Sequence, residues 1–128
     1  WTISADHMKR SKAHMVPLSE AAMRVLAKAN VFRQADTDVV FPGVSGKPMS
    51  DMTLLKILRY AKLPFTVHGF RAAFREWAAE KTSYPGEVAE AALAHSVSNK
   101  VEAAYRRTNY LDKRRELMRE WSGFCVGR

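Results

Sequence analysis

The strongest constraint in this chain is the spacing of Phe70, Phe74, Trp77 and Ala78. Steps of four, three and one put all four on one side of an α-helix, because helical side chains return to the same face every three to four residues. A stripe of large apolar side chains is stable only when packed against other elements. The segment therefore predicts a helix at the centre of the core, with Thr66 in the cap position before it. Other segments keep the same period. After Ser19, residues Ala22, Val25, Leu26 and Ala29 predict a helix ending near Asn30. Ser50 or Asp51 caps the next, which buries Leu54, Leu55, Leu58 and Ala61 and stops at Leu63-Pro64. Pro85 and Glu87 suit the first turn of a fourth helix reaching about Leu93. Asn99-Lys100-Val101-Glu102 has the form of a capping box and opens a short fifth helix through Tyr105. A last helix spans roughly Leu111 to Phe124, with Leu111, Leu117, Met118, Trp121 and Phe124 as its apolar set.

Strand signals are confined to the front. Trp1-Thr2-Ile3-Ser4 and His14-Met15-Val16-Pro17 are β-prone runs that predict a hairpin with a long basic tip. Asp36 to Lys47 reads as a loop, with Val39-Val40-Phe41 extended before the Pro42-Gly43 turn. The expected fold class is mainly α with a small β-hairpin at the N-terminal edge.

At 128 residues the chain is one domain's worth of sequence. No apolar run approaches the roughly 18 residues of a membrane helix, and no secretory signal follows the early Lys9, Arg10 and Lys12. The single cysteine, Cys125, excludes an internal disulfide and a multi-cysteine metal site, which fits a reducing cytoplasm. The net charge of +8 points to a polyanionic partner. From His95 onward there are eight basic and four acidic residues, against ten and eight between Ser19 and Ala94. The field is therefore expected to be localised toward the ends. The chain opens on Trp1 and passes directly into strand-like sequence, so it is expected to be an excerpt from a longer polypeptide.

Four polar constellations are candidates for chemistry. In His68-Gly69-Phe70-Arg71, spacing of three puts His68 and Arg71 on one helical face near a helix N-terminus, and Arg75 continues that face. Ala94-His95-Ser96 places a histidine between two helices. Lys9 sits on the tip side of the hairpin, where a flexible ammonium can reach a substrate and donate a proton. Tyr105 lies ten residues past His95, beside Arg106 and Arg107. Taken singly, each has an ordinary explanation: an exposed polar stripe, a helix cap, a solvated lysine, a half-buried ring.

Their order is more informative. Lys on a hairpin, then His-x-x-Arg, then His, then Tyr resembles the tyrosine recombinases, and the integrases of bacteriophages and prophage islands in particular. His7-Met8-Lys9, His14-Met15-Val16-Pro17-Leu18-Ser19, Thr66-Val67-His68-Gly69-Phe70-Arg71, Ala92-Leu93-Ala94-His95, Asn99-Lys100-Val101-Glu102-Ala103-Ala104-Tyr105 and Lys113-Arg114-Arg115-Glu116-Leu117-Met118 all carry the likeness. It extends over essentially the whole chain.

The resemblance implies site-specific DNA recombination, for prophage or genomic-island integration and excision, through a 3′-phosphotyrosine intermediate. It implies Tyr105 as the nucleophile, Arg71 and His95 as donors to the scissile phosphate, His68 as an aid to proton transfer and Lys9 as the acid toward the departing 5′-oxygen. No cofactor and no metal are implied. Arg10, Lys12, Arg75, Lys100, Arg106 and Arg107 would contact DNA. The implied partners are double-stranded attachment sites, further copies forming a tetramer on DNA, and accessory DNA-bending or excision factors. The implied setting is the bacterial cytoplasm, in association with the nucleoid when bound, with no membrane.

One departure stands out. The family uses two arginines, the first in a T-G-x-R type segment upstream of the hairpin, and residues 1–128 do not include that segment. Residues 1–128 are therefore expected to be a partial catalytic domain without that arginine and without the N-terminal DNA-binding domains. Losing one of two phosphate-clamping arginines costs on the order of a hundredfold or more, so the chain alone is expected not to cleave DNA detectably. Two other readings fit the same residues: a non-catalytic basic DNA-binding module, and strand cleavage and rejoining of the type IB topoisomerase kind. All three share one expectation from charge. The chain binds duplex DNA weakly and with little sequence preference, and the affinity falls steeply with salt because the contacts are mainly to phosphate. An anisotropy titration across ionic strength checks this; salt-insensitive binding would contradict it.

Overall fold

The computed structural model describes residues 1–9, 11–43, 45–95 and 109–127. The predicted fifth helix, and with it Lys100, Tyr105, Arg106 and Arg107, lies outside the described residues, as does Arg10. The described elements are two strands, β1 (Thr2–Ile3) and β2 (His14–Met15), and five helices. The helices are α1 (Glu20–Ala29), α2 (Thr53–Tyr60), α3 (Val67–Lys81), α4 (Gly86–Ala92) and α5 (Leu111–Cys125). None of them is long and apolar enough to cross a membrane. The chain divides into two units, each compact in itself: Trp1–Glu20 with Phe74–Arg128, and Ala21–Ala73.

In the first unit β1 and β2 pair antiparallel, Thr2 opposite Met15 and Ile3 opposite His14. Trp1 and Val16 extend the ladder by exchanging both backbone hydrogen bonds, at 3.0 and 2.7 Å. The core joins Phe74, Trp77 and Ala78 of α3 to Val88 and Ala89 of α4 and Leu117 of α5. Trp121 meets Phe74 edge-on at 5.4 Å between ring centres and stacks on Phe124 at 5.5 Å. Such aromatic contacts add to the burial of area alone. The end of α3 is closed by Thr82, whose hydroxyl donates to the Ala78 carbonyl at 2.6 Å. Tyr84 then reaches α5 through a 2.8 Å hydrogen bond to Glu120.

The second unit holds α1, a turn bridged at Pro42 and Pro48, α2 and the first turns of α3. Thr66 caps α3 as expected, accepting the Gly69 N–H on its hydroxyl at 3.0 Å. Helix α2 begins later than expected, at Thr53. Ser50 belongs to the turn before it and accepts the Met52 N–H at 3.3 Å.

The apolar stripes of this unit depart from expectation. Leu54 is 54% exposed, Phe70 is 54% exposed and Ala61 is exposed, while Leu55 and Leu58 are half-buried. Among the described residues of the unit only Ala29 is buried. Periodicity fixes which residues share a face, not what covers it, and a unit this short buries a small fraction of its surface. The core centres instead on the other half of α3, where Leu117 is fully buried. Leu117→Ala is expected to lower the unfolding free energy by about 2–5 kcal/mol, measurable by urea denaturation followed by tryptophan fluorescence.

Candidate active site

The end of α4 is built to present a histidine. His95 N–H donates to the Glu90 carbonyl at 2.9 Å and Ala94 N–H to Ala91 at 3.2 Å, the paired bonds of a Schellman motif. Ala94 occupies the left-handed position at φ 56°. An alanine there costs roughly 1–2 kcal/mol where a glycine would not. The turn folds the chain back so that His95 Nδ1 lies 2.6 Å from Glu90 Oε2. Glu90 Oε1 in turn accepts from Arg75 Nε on α3. One carboxylate thus joins a guanidinium and an imidazole from separate elements.

Charge explains the bridge. Glu90 stands in the last turn of α4, where the helix dipole disfavours an anion. The Arg75 hydrogen bond, reinforced by that of His95, holds its carboxyl below its ordinary range, against a partial desolvation that acts the other way. Arg75, expected to face DNA, is engaged in this pair with its side chain 39% exposed. Sequence reasoning passed over Glu90. The available signal was an acid in the wrong turn of a short helix, five residues before a candidate histidine.

The second feature is the hairpin. Between β1 and β2 the chain makes a single 3₁₀ turn at Ala5–His7, then bends at Ser11, whose N–H donates to Met8 at 2.9 Å. Lys9 and Lys12 lie in this connection, both exposed. Strand β2 is held from α5 by Arg114, which is 2% exposed. Its Nη2 donates to the Met15 carbonyl and lies 3.3 Å from His14 Nε2, and its Nη1 donates to the Asn109 carbonyl at 3.3 Å. Burial and then the nearby guanidinium push the His14 pKa down from its ordinary value.

His68 and Arg71 belong to the other unit, one turn apart at the start of α3, both exposed. The structure thus joins Arg75 to His95 through Glu90 and seats the Lys9 hairpin on α5, while Tyr105 falls outside the described residues. Tyr110 is described. It precedes α5 at φ 54° and packs against the core. Among the described residues no group of three or more His, Cys, Asp or Glu could hold a metal ion.

Comparison with known proteins gives a consistent picture. Residues 1–112 match the sequence model of the phage integrase family. The chain is 34% identical over 126 residues to prophage integrase IntA of Escherichia coli K12, covering 95% of this chain and 30% of that protein. Against the integrase of Shigella phage Sf6 the identity is 32%, over 94% of this chain and 32% of the relative. Against the integrase of Enterobacteria phage P4 it is 36%, over 91% and 28%. The chain therefore spans about 30% of the length of these curated relatives. No solved structure matches it.

The Glu90 bridge has a pH signature. A carboxylate whose folded pKa lies below its ordinary 4.5 stabilises the fold above that value, and the contribution disappears as pH falls through the folded value. Glu90→Gln is expected to destabilise the chain at neutral pH by about 1 kcal/mol or less, as befits a partly exposed pair. The difference from wild type should shrink in acid. Denaturation curves on both sides of 4.5 check this, and a gap that widens in acid would contradict it.

Proposed function

The chain belongs to the phage integrase family, and on that footing we propose that it forms part of the catalytic domain of a site-specific DNA recombinase. The observation that carries the reading is the candidate histidine held at the turn after α4 by Glu90 and Arg75, in a chain whose ordered motifs match those of integrases. The parent protein would act on duplex attachment sites of a prophage or genomic island in the bacterial cytoplasm, associated with the nucleoid when bound. It would assemble as a tetramer on DNA, with accessory bending or excision factors. The greater length of the relatives, of which the chain spans about 30%, supports a longer parent protein.

The chemistry follows from the residue types. Tyr105 attacks the scissile phosphorus; a phosphotyrosyl P–O bond forms as the P–O5′ bond breaks. The ester bond energy is kept, so rejoining is the same step reversed, with the 5′-hydroxyl as nucleophile. Arg71 offers its planar fork of donors to the non-bridging oxygens, which gain negative charge in the transition state. His95, held through Nδ1 by Glu90, acts with it as a donor to the same phosphate. His68 assists removal of the tyrosine proton, and Lys9 delivers a proton to the leaving 5′-oxygen. Lys12, Arg10, Arg75, Lys100, Arg106 and Arg107 are the candidates for flanking phosphates. Arg75 is also drawn inward by its pair with Glu90.

The assignment of the nucleophile is open to direct test, because Tyr110 lies five residues from Tyr105. In the full-length protein, Tyr105→Phe is expected to abolish covalent adduct with a suicide DNA substrate, while Tyr110→Phe retains it. Peptide mapping of the trapped adduct decides. DNA attached at Tyr110 would refute the assignment.

A further inference from the structure

Among the described residues Arg114 is the one buried charged side chain, and no carboxylate is described beside it. A guanidinium carries five N–H donors in a rigid plane. Here two nitrogens are spent on backbone carbonyls at separate places, Met15 in β2 and Asn109 just before α5, and Nε has no described partner. For stability alone this is a poor use of the site, since an apolar side chain of similar volume avoids the desolvation of a charge. What arginine does that an apolar residue cannot is fix two carbonyls in one plane. The carbonyls it fixes are telling. Met15 anchors the hairpin whose connection carries Lys9, and Asn109 follows Tyr105 by four residues in the chain.

We propose that Arg114 is a positioning residue for strand cleavage: it seats the Lys9 hairpin, together with the Asn109 backbone, on the start of α5. One buried side chain thereby sets where the proton donor stands relative to the start of α5. The inference rests on the reading of Lys9 as the acid toward the leaving 5′-oxygen. Arg114 itself touches no substrate; it acts through the hairpin. A misplacement of even about 1 Å in such a donor can slow a reaction a hundredfold.

The test uses the full-length protein and two DNA substrates, one ordinary and one with sulfur in place of the bridging 5′-oxygen at the scissile phosphate. A thiolate departs without being protonated, so the sulfur substrate removes the need for an acid. Lys9→Ala is expected to cleave the oxygen substrate about a hundredfold or more slowly and the sulfur substrate at close to the wild-type rate. Arg114→Met, which fills the buried space without a charge, and Arg114→Lys are expected to show the same pattern in milder form, about tenfold on oxygen and near wild type on sulfur. Both should keep wild-type affinity for uncleaved DNA. If Lys9→Ala is slow on both substrates, the reading of Lys9 fails. If Lys9→Ala is rescued by sulfur but the Arg114 variants are equally slow on both, or unimpaired on oxygen, the inference about Arg114 is overturned. Should Arg114→Met not fold, Arg114→Lys is read in the same way. Loss of fold in both variants assigns Arg114 to stability and overturns the inference equally.

Discussion

A seven-residue helix does not persist in water by itself, because the nucleation cost of its first turn is not recovered over so short a length. Helix α4 exists because Val88 and Ala89 are buried against Phe74, Trp77 and Leu117. That packing decides where the helix ends, and its end decides where His95 stands. The Schellman turn, the Glu90 bridge and the contact with Arg75 all hang from an apolar contact a few residues wide. The site is therefore as well placed as the core beneath it is tight.

The basic character of the chain is partly consumed inside it. In α5, Arg119 lies 2.7 Å from Glu116 and Arg115 lies 3.9 Å from Asp112, each one turn away. Arg114 is buried, and Lys113 sits 6.0 Å over the Tyr110 ring. Exposed pairs of this kind add little stability, yet they spend charge that a count of residues assigns to DNA. A localised positive field remains the expectation from composition, but α5 is not its obvious source. Exposed basic side chains lie instead in the hairpin connection, at Lys9 and Lys12, and at the start of α3, at Arg71.

The same economy separates the two clusters of the first unit. Glu90 works through charge: it is an anion placed where its own helix disfavours it, compensated by Arg75 and His95. Arg114 works through shape: it is a cation with carbonyls and an imidazole for neighbours, and its donors fix backbone rather than neutralise charge. The first holds an exposed side chain in place. The second joins elements that sequence keeps far apart.

The sequence by itself determined what depends on short range. The Thr66 cap, the stripe of Phe74, Trp77 and Ala78, the extent of α5 and the hairpin all follow from spacing and turn chemistry within a few residues. The family resemblance was legible there too, and the match of residues 1–112 to the family model bears it out. The exposure of Leu54 and Phe70 was not legible, because a periodic face does not say what lies against it. Nor was the partner of Arg75, fifteen residues away, or the burial of Arg114 against a strand about a hundred residues earlier. Hydrogen bonds at such separations are chosen only after the core has brought the elements together. They carry no local periodicity, so only the tertiary structure could decide them.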